Sequence, residues 1–63
     1  MTNLQAFETL DLLLEEAQVI IESDKAVWRV YIRPATGVFP LVRGESGELA
    51  EAVKQALALW EAK

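Results

Sequence analysis

The chain has 63 residues, of which 52% are hydrophobic and 25% are charged, and its formal net charge is −4. This length predicts a single domain, residues 1–63, with a thin core, because a chain of this size buries only about 60% of its unfolded surface. The composition is too apolar for a disordered chain and too interrupted by charges for a membrane span. Cysteine and histidine are both absent, which excludes disulfides, thiol chemistry and histidine-based catalysis.

The first segment of the chain predicts a helix. Thr2 followed by Gln5 is a capping-box pattern, and no Gly or Pro occurs before Glu22. At about 100° per residue the apolar side chains gather on one face over roughly five turns, which indicates a core stripe. This stripe consists of Phe7, Leu10, Leu13, Leu14, Ala17, Ile20 and Ile21.

Leu12 and Val19 are seven residues apart, and in this helix they lie on the side opposite the core stripe, among acids. They are either isolated surface apolar residues or a contact stripe for a partner or a second copy. Glu8, Glu15 and Glu22 also repeat every seven residues and predict an acidic ridge beside them. Such a ridge is either a solvated helix face or part of a binding surface.

A β-hairpin is predicted to follow. Residues 26–33 alternate between apolar and polar side chains, residues 34–37 have the composition of a turn, and residues 38–43 return as a second strand. Pro40 cannot donate to a ladder, so the return strand is expected to be an edge. The strand at residues 26–33 is then the one left open for further pairing.

A four-residue turn places Ile32 opposite Phe39 and Val30 opposite Leu41, and opposed residues share a face. The face predicted to join the core carries Trp28, Val30, Ile32, Phe39 and Leu41. The other face carries a basic surface with one aromatic ring, formed by Arg29, Tyr31 and Arg33, with Arg43 near the end of the hairpin.

A second helix is predicted after Gly47, with Ser46 as its cap. Its apolar arc consists of Leu49, Ala52, Val53, Ala56, Leu57, Leu59 and Trp60. Glu51 and Lys54 are spaced to pair on the opposite side, and Trp60 is expected to fill the core rather than to bind a ligand.

The order helix, strand, strand, helix predicts an α+β fold in which an antiparallel hairpin packs against two helices. The predicted core consists of Phe7, Leu10, Leu14, Ile21, Trp28, Val30, Ile32, Leu41, Val53 and Trp60.

Catalytic and cofactor motifs are missing from the sequence. It contains no calcium loop, no glycine-rich phosphate loop and no histidine to activate a serine. We therefore expect a protein that is not an enzyme and that uses no metal and no cofactor. The first residues lack a basic region followed by an apolar run, so no signal peptide is expected and the predicted location is cytoplasmic, without membrane binding.

The charges are segregated along the chain. Residues 1–24 contain six acids and no base, whereas residues 25–43 contain four bases and no acid. Either these groups neutralise one another across the fold, or one charged face is directed at a partner.

In size, acidity and compact α/β construction the chain resembles small inhibitors from phages and mobile elements, including anti-CRISPR proteins. Three observations together predict a small acidic inhibitor that occupies a site on a larger protein, such as a nucleic-acid-binding complex. Catalytic side chains are missing, residues 1–24 contain six acids and no base, and Leu12 and Val19 are expected to be exposed among those acids. An apolar anchor ringed by charge is the usual anatomy of such an interface. The residues predicted to bind the partner are Glu8, Asp11, Leu12, Glu15, Val19 and Glu22.

Two alternatives stay open. A core this small is often supplemented by self-association. The first alternative is therefore a homodimeric structural or regulatory protein, paired through the strand at residues 26–33 or through the first helix, in contrast to a protein that acts alone on a partner. The other alternative is a weak nucleic-acid binder that uses Arg29, Tyr31 and Arg33 for phosphate contact and base stacking. The acidic pI of about 4.6 argues against direct binding to nucleic acid.

Overall fold

The computed structural model describes residues 2–36 and 41–62. Within them the elements follow the order α1 (Asn3–Leu13), β1 (Ala17–Asp24), β2 (Val27–Pro34), β3 (Val42–Ser46) and α2 (Leu49–Ala62). The strands form one antiparallel sheet in the order β1-β2-β3. The predicted α+β class is confirmed, but the sheet has three strands where the sequence predicted a two-stranded hairpin.

Helix α1 begins at the predicted capping box. The Thr2 hydroxyl accepts the Gln5 backbone N–H at 3.1 Å, and the Gln5 side-chain carbonyl accepts the Thr2 backbone N–H at 2.8 Å. Each side chain thereby satisfies a backbone donor that has no partner inside the helix.

The prediction that this helix continues to Glu22 is wrong, because residues 17–24 form β1. Val19, Ile20 and Ile21 are β-branched, and such side chains lose χ1 freedom in a helix but pack well on a pleated surface. Every residue of β1 has a Cα partner on β2. Complete strand pairing therefore prevails over the helical periodicity of the segment.

The two surfaces inferred from a long helix are wrong for the same reason. Leu12 lies on α1 and Val19 on β1, so they share no helix face. The Glu8, Glu15 and Glu22 ridge is likewise divided among α1, the turn that follows it, and β1.

Strands β1 and β2 are joined by a two-residue loop, because Asp24 pairs with Val27. Lys25 has φ of 58° in this loop, a left-handed conformation that costs an L-residue roughly 1–2 kcal/mol. Gly is the residue that adopts a positive φ most readily at such a loop position.

The pairing of β2 with β3 differs from the predicted register. Val30 lies opposite Gly44 and Ile32 opposite Val42, so the register is three residues from the prediction. An odd shift exchanges the faces of a strand, which removes Leu41 from the core face and places Val42 on it. The predicted partner Phe39, and with it Pro40, lies outside the described residues.

Strand β2 is the central strand, paired on both sides. The prediction that residues 26–33 form an open edge is therefore wrong. Within the described residues the edges of the sheet are β1 and β3.

Helix α2 packs against β3, β2 and α1. Gly44 on β3 permits this close approach, because a Cβ there would collide with the carbonyl oxygen of Ala52 and lie 2.7 Å from the backbone nitrogen of Ala56. Before the helix, the Ser46 hydroxyl accepts the Glu48 backbone N–H at 3.2 Å and so supports the turn into α2. Glu51 and Lys54 form the predicted ion pair at 3.1 Å.

The core lies between the helices and one face of the sheet. Its central buried residues are Ala6, Leu10, Leu13, Ala17, Val30, Ile32, Ala52, Val53, Ala56 and Leu57. Of the predicted core, Leu10, Val30, Ile32 and Val53 are buried, and Trp28 and Trp60 are partly buried against it.

Four residues of the predicted core are exposed: Phe7, Leu14, Ile21 and Leu41. Phe7 and Leu14 flank the buried face of α1, Ile21 lies on an edge strand, and Leu41 follows from the changed register. Leu59 of the predicted α2 arc is exposed as well.

Candidate partner-binding cleft

The C-terminal turns of α1 and α2 lie side by side and border an open cleft of about 470 Å³. We call this feature the helix-end cleft. Its apolar lining consists of Leu12, Leu13, Leu57 and Trp60, and its polar lining of Thr9, Glu15, Glu16 and Glu61.

Backbone hydrogen bonds in the turn after α1 hold two of these carboxylates at the cleft. The Glu16 N–H donates to the Leu13 carbonyl at 3.0 Å, and the Glu15 N–H donates to the Leu12 carbonyl at 3.4 Å. The Glu16 carbonyl accepts the Ala35 N–H at 3.4 Å, which ties the turn to the end of β2. Glu15 and Glu16 are therefore carried by fixed backbone rather than by a free loop.

The electrostatics of the cleft are one-sided. The C-terminus of a helix carries partial negative charge, and the cleft lies at two such ends. The described last turns of both helices contain no basic residue. Glu15, Glu16 and Glu61 add three carboxylates to the same place, so the cleft favours a cation.

The apolar lining gives the cleft a second property. Leu12 is 71% exposed at its border, whereas Leu57 is buried beneath. Trp60 contributes an aromatic ring, and aromatic faces attract ammonium and guanidinium groups. The arrangement fits a cationic group on an apolar stem.

The structure brings together only part of the predicted partner-binding set. Leu12 and Glu15 meet at the helix-end cleft, and Glu8 lies one turn before Leu12 on the same side of α1. Asp11 is exposed on α1, at about 100° from Leu12 around the axis.

The last two members of that set lie elsewhere. Val19 faces the core, because it pairs with buried Ile32. Glu22 lies on the uncovered face of the sheet and accepts a hydrogen bond from the Tyr31 hydroxyl at 3.0 Å. The prediction of a single helical surface is therefore wrong.

Sequence reasoning missed Glu16, Trp60 and Glu61 as members of a common surface. Trp60 was interpreted as a core residue, and it does pack against the core, but it also lines the cleft. No spacing in the sequence signals that residues 12–16 and 57–61 meet, because the packing of α1 on α2 creates that proximity.

The alternative binding face of Arg29, Tyr31 and Arg33 lies on the uncovered side of β2. The Arg29 Nε donates to the Glu45 carboxylate at 2.7 Å, and Asp24 lies 3.8 Å from the same guanidinium. The hydrogen bond to Glu45 raises the pKa of Arg29. Arg33 donates to the side chain of Gln18 at 2.6 Å.

Carboxylates of β1 and β3 thus stand among the bases of this face. The phosphate groups of a nucleic acid would meet Asp24, Glu22 and Glu45 together with the arginines. This interleaving weakens the case for the nucleic-acid alternative and matches the interpretation in which opposite charges neutralise one another across the fold.

The described residues provide neither a metal site nor a membrane-spanning helix. Among the described residues no group of three or more potential ligand side chains is placed to hold a metal ion. Neither helix, over the part of the chain that is described, combines the length and apolar character needed to cross a membrane.

Comparison with protein-family models, curated proteins and solved structures gave no significant match to this chain.

Proposed function

We propose that this chain is a non-enzymatic protein-binding module that acts as a small acidic inhibitor of a larger protein. The observation that carries the proposal is the helix-end cleft, where apolar walls and three carboxylates meet at two helix C-termini. An apolar centre with a charged rim is typical of specific interfaces, in which the centre supplies affinity and the charges guide association.

The chemistry of the cleft favours an arginine of the partner as its occupant. A guanidinium is planar, binds carboxylates with two parallel hydrogen bonds and stacks on aromatic rings. Glu15, Glu16 or Glu61 would accept those hydrogen bonds, and the methylene stem would lie against Leu12 and Trp60. A lysine satisfies the charge but neither the planar stacking nor the paired hydrogen bonds.

The class of partner follows from the same chemistry. Nucleic-acid-binding complexes expose arginines for phosphate contact, and an acidic protein that holds one of them keeps the nucleic acid from its site. The resemblance to small phage and mobile-element inhibitors, including anti-CRISPR proteins, agrees with such a target. The spacing of acids along one long helix no longer supports the proposal, since that helix does not exist.

A direct test uses a short peptide with a central Arg between leucines, titrated while the two tryptophan indole N–H signals are followed by NMR. The Trp60 signal should shift with the peptide and the Trp28 signal should not, because only Trp60 lines the cleft. A peptide with Gln in place of Arg should bind at least tenfold more weakly, which corresponds to about 1.4 kcal/mol.

Two charge-matched triple variants locate the surface. Glu15→Gln, Glu16→Gln and Glu61→Gln together neutralise the cleft. Glu22→Gln, Asp24→Asn and Glu48→Gln together remove the same charge at positions that do not line the cleft. The cleft variant should lose binding of the Arg peptide, and of the protein captured from the host lysate, while the matched control retains both.

Equal binding by the two variants would show that only net charge matters and would contradict the proposal. If Arg29→Glu abolishes capture and the cleft variant does not, the uncovered face of the sheet carries the function. Added salt should weaken the peptide complex, because exposed ion pairs are screened within about 8–10 Å.

A further inference from the structure

The two edges of the sheet differ in how they are protected from pairing with another strand. Strand β3 has five residues, carries Arg43 and Glu45, and is packed directly against α2. Strand β1 has eight residues without Lys or Pro, and its register with β2 runs unbroken from Ala17 to Asp24. Proteins protect edges with short strands, charged side chains (especially Lys), Pro or bulges. Strand β1 is long, has no Lys, Pro or break in its register, and carries charge only at its C-terminal end, at Glu22 and Asp24.

Strand β1 also exposes apolar side chains on both sides of the sheet. Ile20 pairs with Tyr31 on the uncovered face and is 48% exposed, whereas Ile21 pairs with buried Val30 on the helix-covered face and is still 45% exposed. The reason is that α2 covers β3 and β2 and leaves the outer edge of β1 open. A strand added against β1 would cover both isoleucines at once.

The sequence of β1 is complementary to itself when it runs antiparallel about a two-fold axis through Ile20. In that register Ile20 faces Ile20 of the second copy, Val19 faces Ile21, and Gln18 faces Glu22. Apolar residues then meet apolar residues, and a carboxylate meets an amide that can donate to it. The residue numbers of two opposed residues differ by an even number in this register. Side chains of the covered face of one copy therefore continue the covered face of the second copy, and the same holds for the uncovered face.

A register shifted to centre on Ile21 is poorer. It would place Ile20 opposite Glu22 and thus an apolar side chain opposite a carboxylate on the uncovered face. Of these two registers, the one centred on Ile20 has the better matched side chains.

We propose that two copies of this chain pair through β1 in this register and form a continuous six-stranded sheet. The inference goes beyond the proposed function and does not depend on it, because no residue of the helix-end cleft belongs to β1. It also differs from the dimer predicted from the sequence, which used residues 26–33 or the first helix.

Cysteine cross-linking tests the register directly, since the chain has no cysteine of its own. In Ile20→Cys the two sulfur-bearing residues would face each other with Cα atoms about 4.5–5.5 Å apart, which is within the range of a disulfide. Mild oxidation should therefore give a covalent dimer. In the control Ser23→Cys the two cysteines would stand about 20 Å apart at 3.3 Å per residue and should not cross-link.

Light scattering tests the association itself. The natural chain should have twice its 7.0 kDa mass at micromolar concentration. Ile20→Lys places two ammonium groups face to face and should give the monomer mass. The matched control Leu59→Lys changes a residue of α2 that is 50% exposed and should leave the dimer intact.

A natural chain that stays at 7.0 kDa up to millimolar concentration would overturn the inference, and so would a dimer that survives Ile20→Lys with unchanged circular dichroism. If Ile20→Lys does not fold, the cross-linking experiment alone tests the dimer. Rapid disulfide formation by Ser23→Cys, with no disulfide formed by Ile20→Cys, would refute the register. A monomer that instead captures a foreign strand at β1 would equally refute self-pairing.

Discussion

Replacement of Gly44 by Ala tests how α2 is held on the sheet. A Cβ at this position would collide with the Ala52 carbonyl oxygen and stand 2.7 Å from the Ala56 nitrogen, whereas ordinary contacts begin at 3.4 Å. Both obstructing atoms belong to helix backbone and cannot rotate away. Relief of the Ala56 contact alone would require α2 to move from β3 by about 0.7 Å, and relief of the closer collision with the Ala52 oxygen would require more than about 1 Å.

The energetic cost follows from that displacement. A gap of about 1 Å forfeits about half of each dispersion contact across it, and α2 supplies several of the buried residues. Gly44 does not have a positive φ, so the cost is steric rather than conformational. We expect Gly44→Ala to lower the free energy of unfolding by about 3 kcal/mol, at the upper end of the usual range for overpacking.

This loss is large for the chain, because a core of this size supplies only about 3–5 kcal/mol in total. Urea unfolding followed by tryptophan fluorescence and by circular dichroism measures it, with the midpoint compared at equal slope. The variant should be close to half unfolded in buffer or should unfold at very low urea concentration.

Gly47→Ala provides the matched control, because its Cβ would meet only the Ala26 carbonyl oxygen at an ordinary 3.6 Å. Its stability should be unchanged or slightly higher, since Ala reduces the freedom of the unfolded chain. If Gly44→Ala and Gly47→Ala unfold at the same urea concentration, the close packing of β3 and α2 described above is incorrect.

Two further predictions concern stability. Leu57 is 2% exposed and Leu59 is 50% exposed on the same helix. In urea unfolding, Leu57→Ala should therefore lower the free energy of unfolding by about 2–5 kcal/mol and Leu59→Ala by less than about 1 kcal/mol. Similar losses in the two variants would mean that α2 presents a different face to the core. Lys25→Gly should raise the midpoint temperature of thermal unfolding, because it relieves up to about 1 kcal/mol of backbone strain at the positive φ. The control Ala26→Gly should lower this midpoint. A lower midpoint for Lys25→Gly would contradict the assigned loop conformation.

The sequence alone determined the features that depend on neighbours along the chain. Three such features were predicted correctly, and each depends on residues only a few positions apart. They are the capping box of Thr2 and Gln5, the alternation of apolar and polar residues along β2, and the apolar arc at the start of α2. Local hydrogen bonds and side-chain periodicity decide these elements, so no knowledge of distant contacts is needed.

The secondary structure of residues 14–24 depends on tertiary contacts and cannot be read from the local sequence. Their apolar spacing suits a helix, but Val19, Ile20 and Ile21 also suit a strand, and two strands by themselves are only marginally stable. Pairing along the whole of β2, together with the tight loop at Lys25, makes the strand the better state. The balance depends on a partner strand, which the local pattern does not contain.

The position of the candidate site has the same origin. Leu12 and Glu15 were identified from the sequence, but their neighbours Glu16, Trp60 and Glu61 were not, because the cleft exists only where α1 packs on α2. The exposed edge of β1 likewise appears only once the strand order is known. Local chemistry selected individual residues, whereas packing of distant segments determined which of them act together.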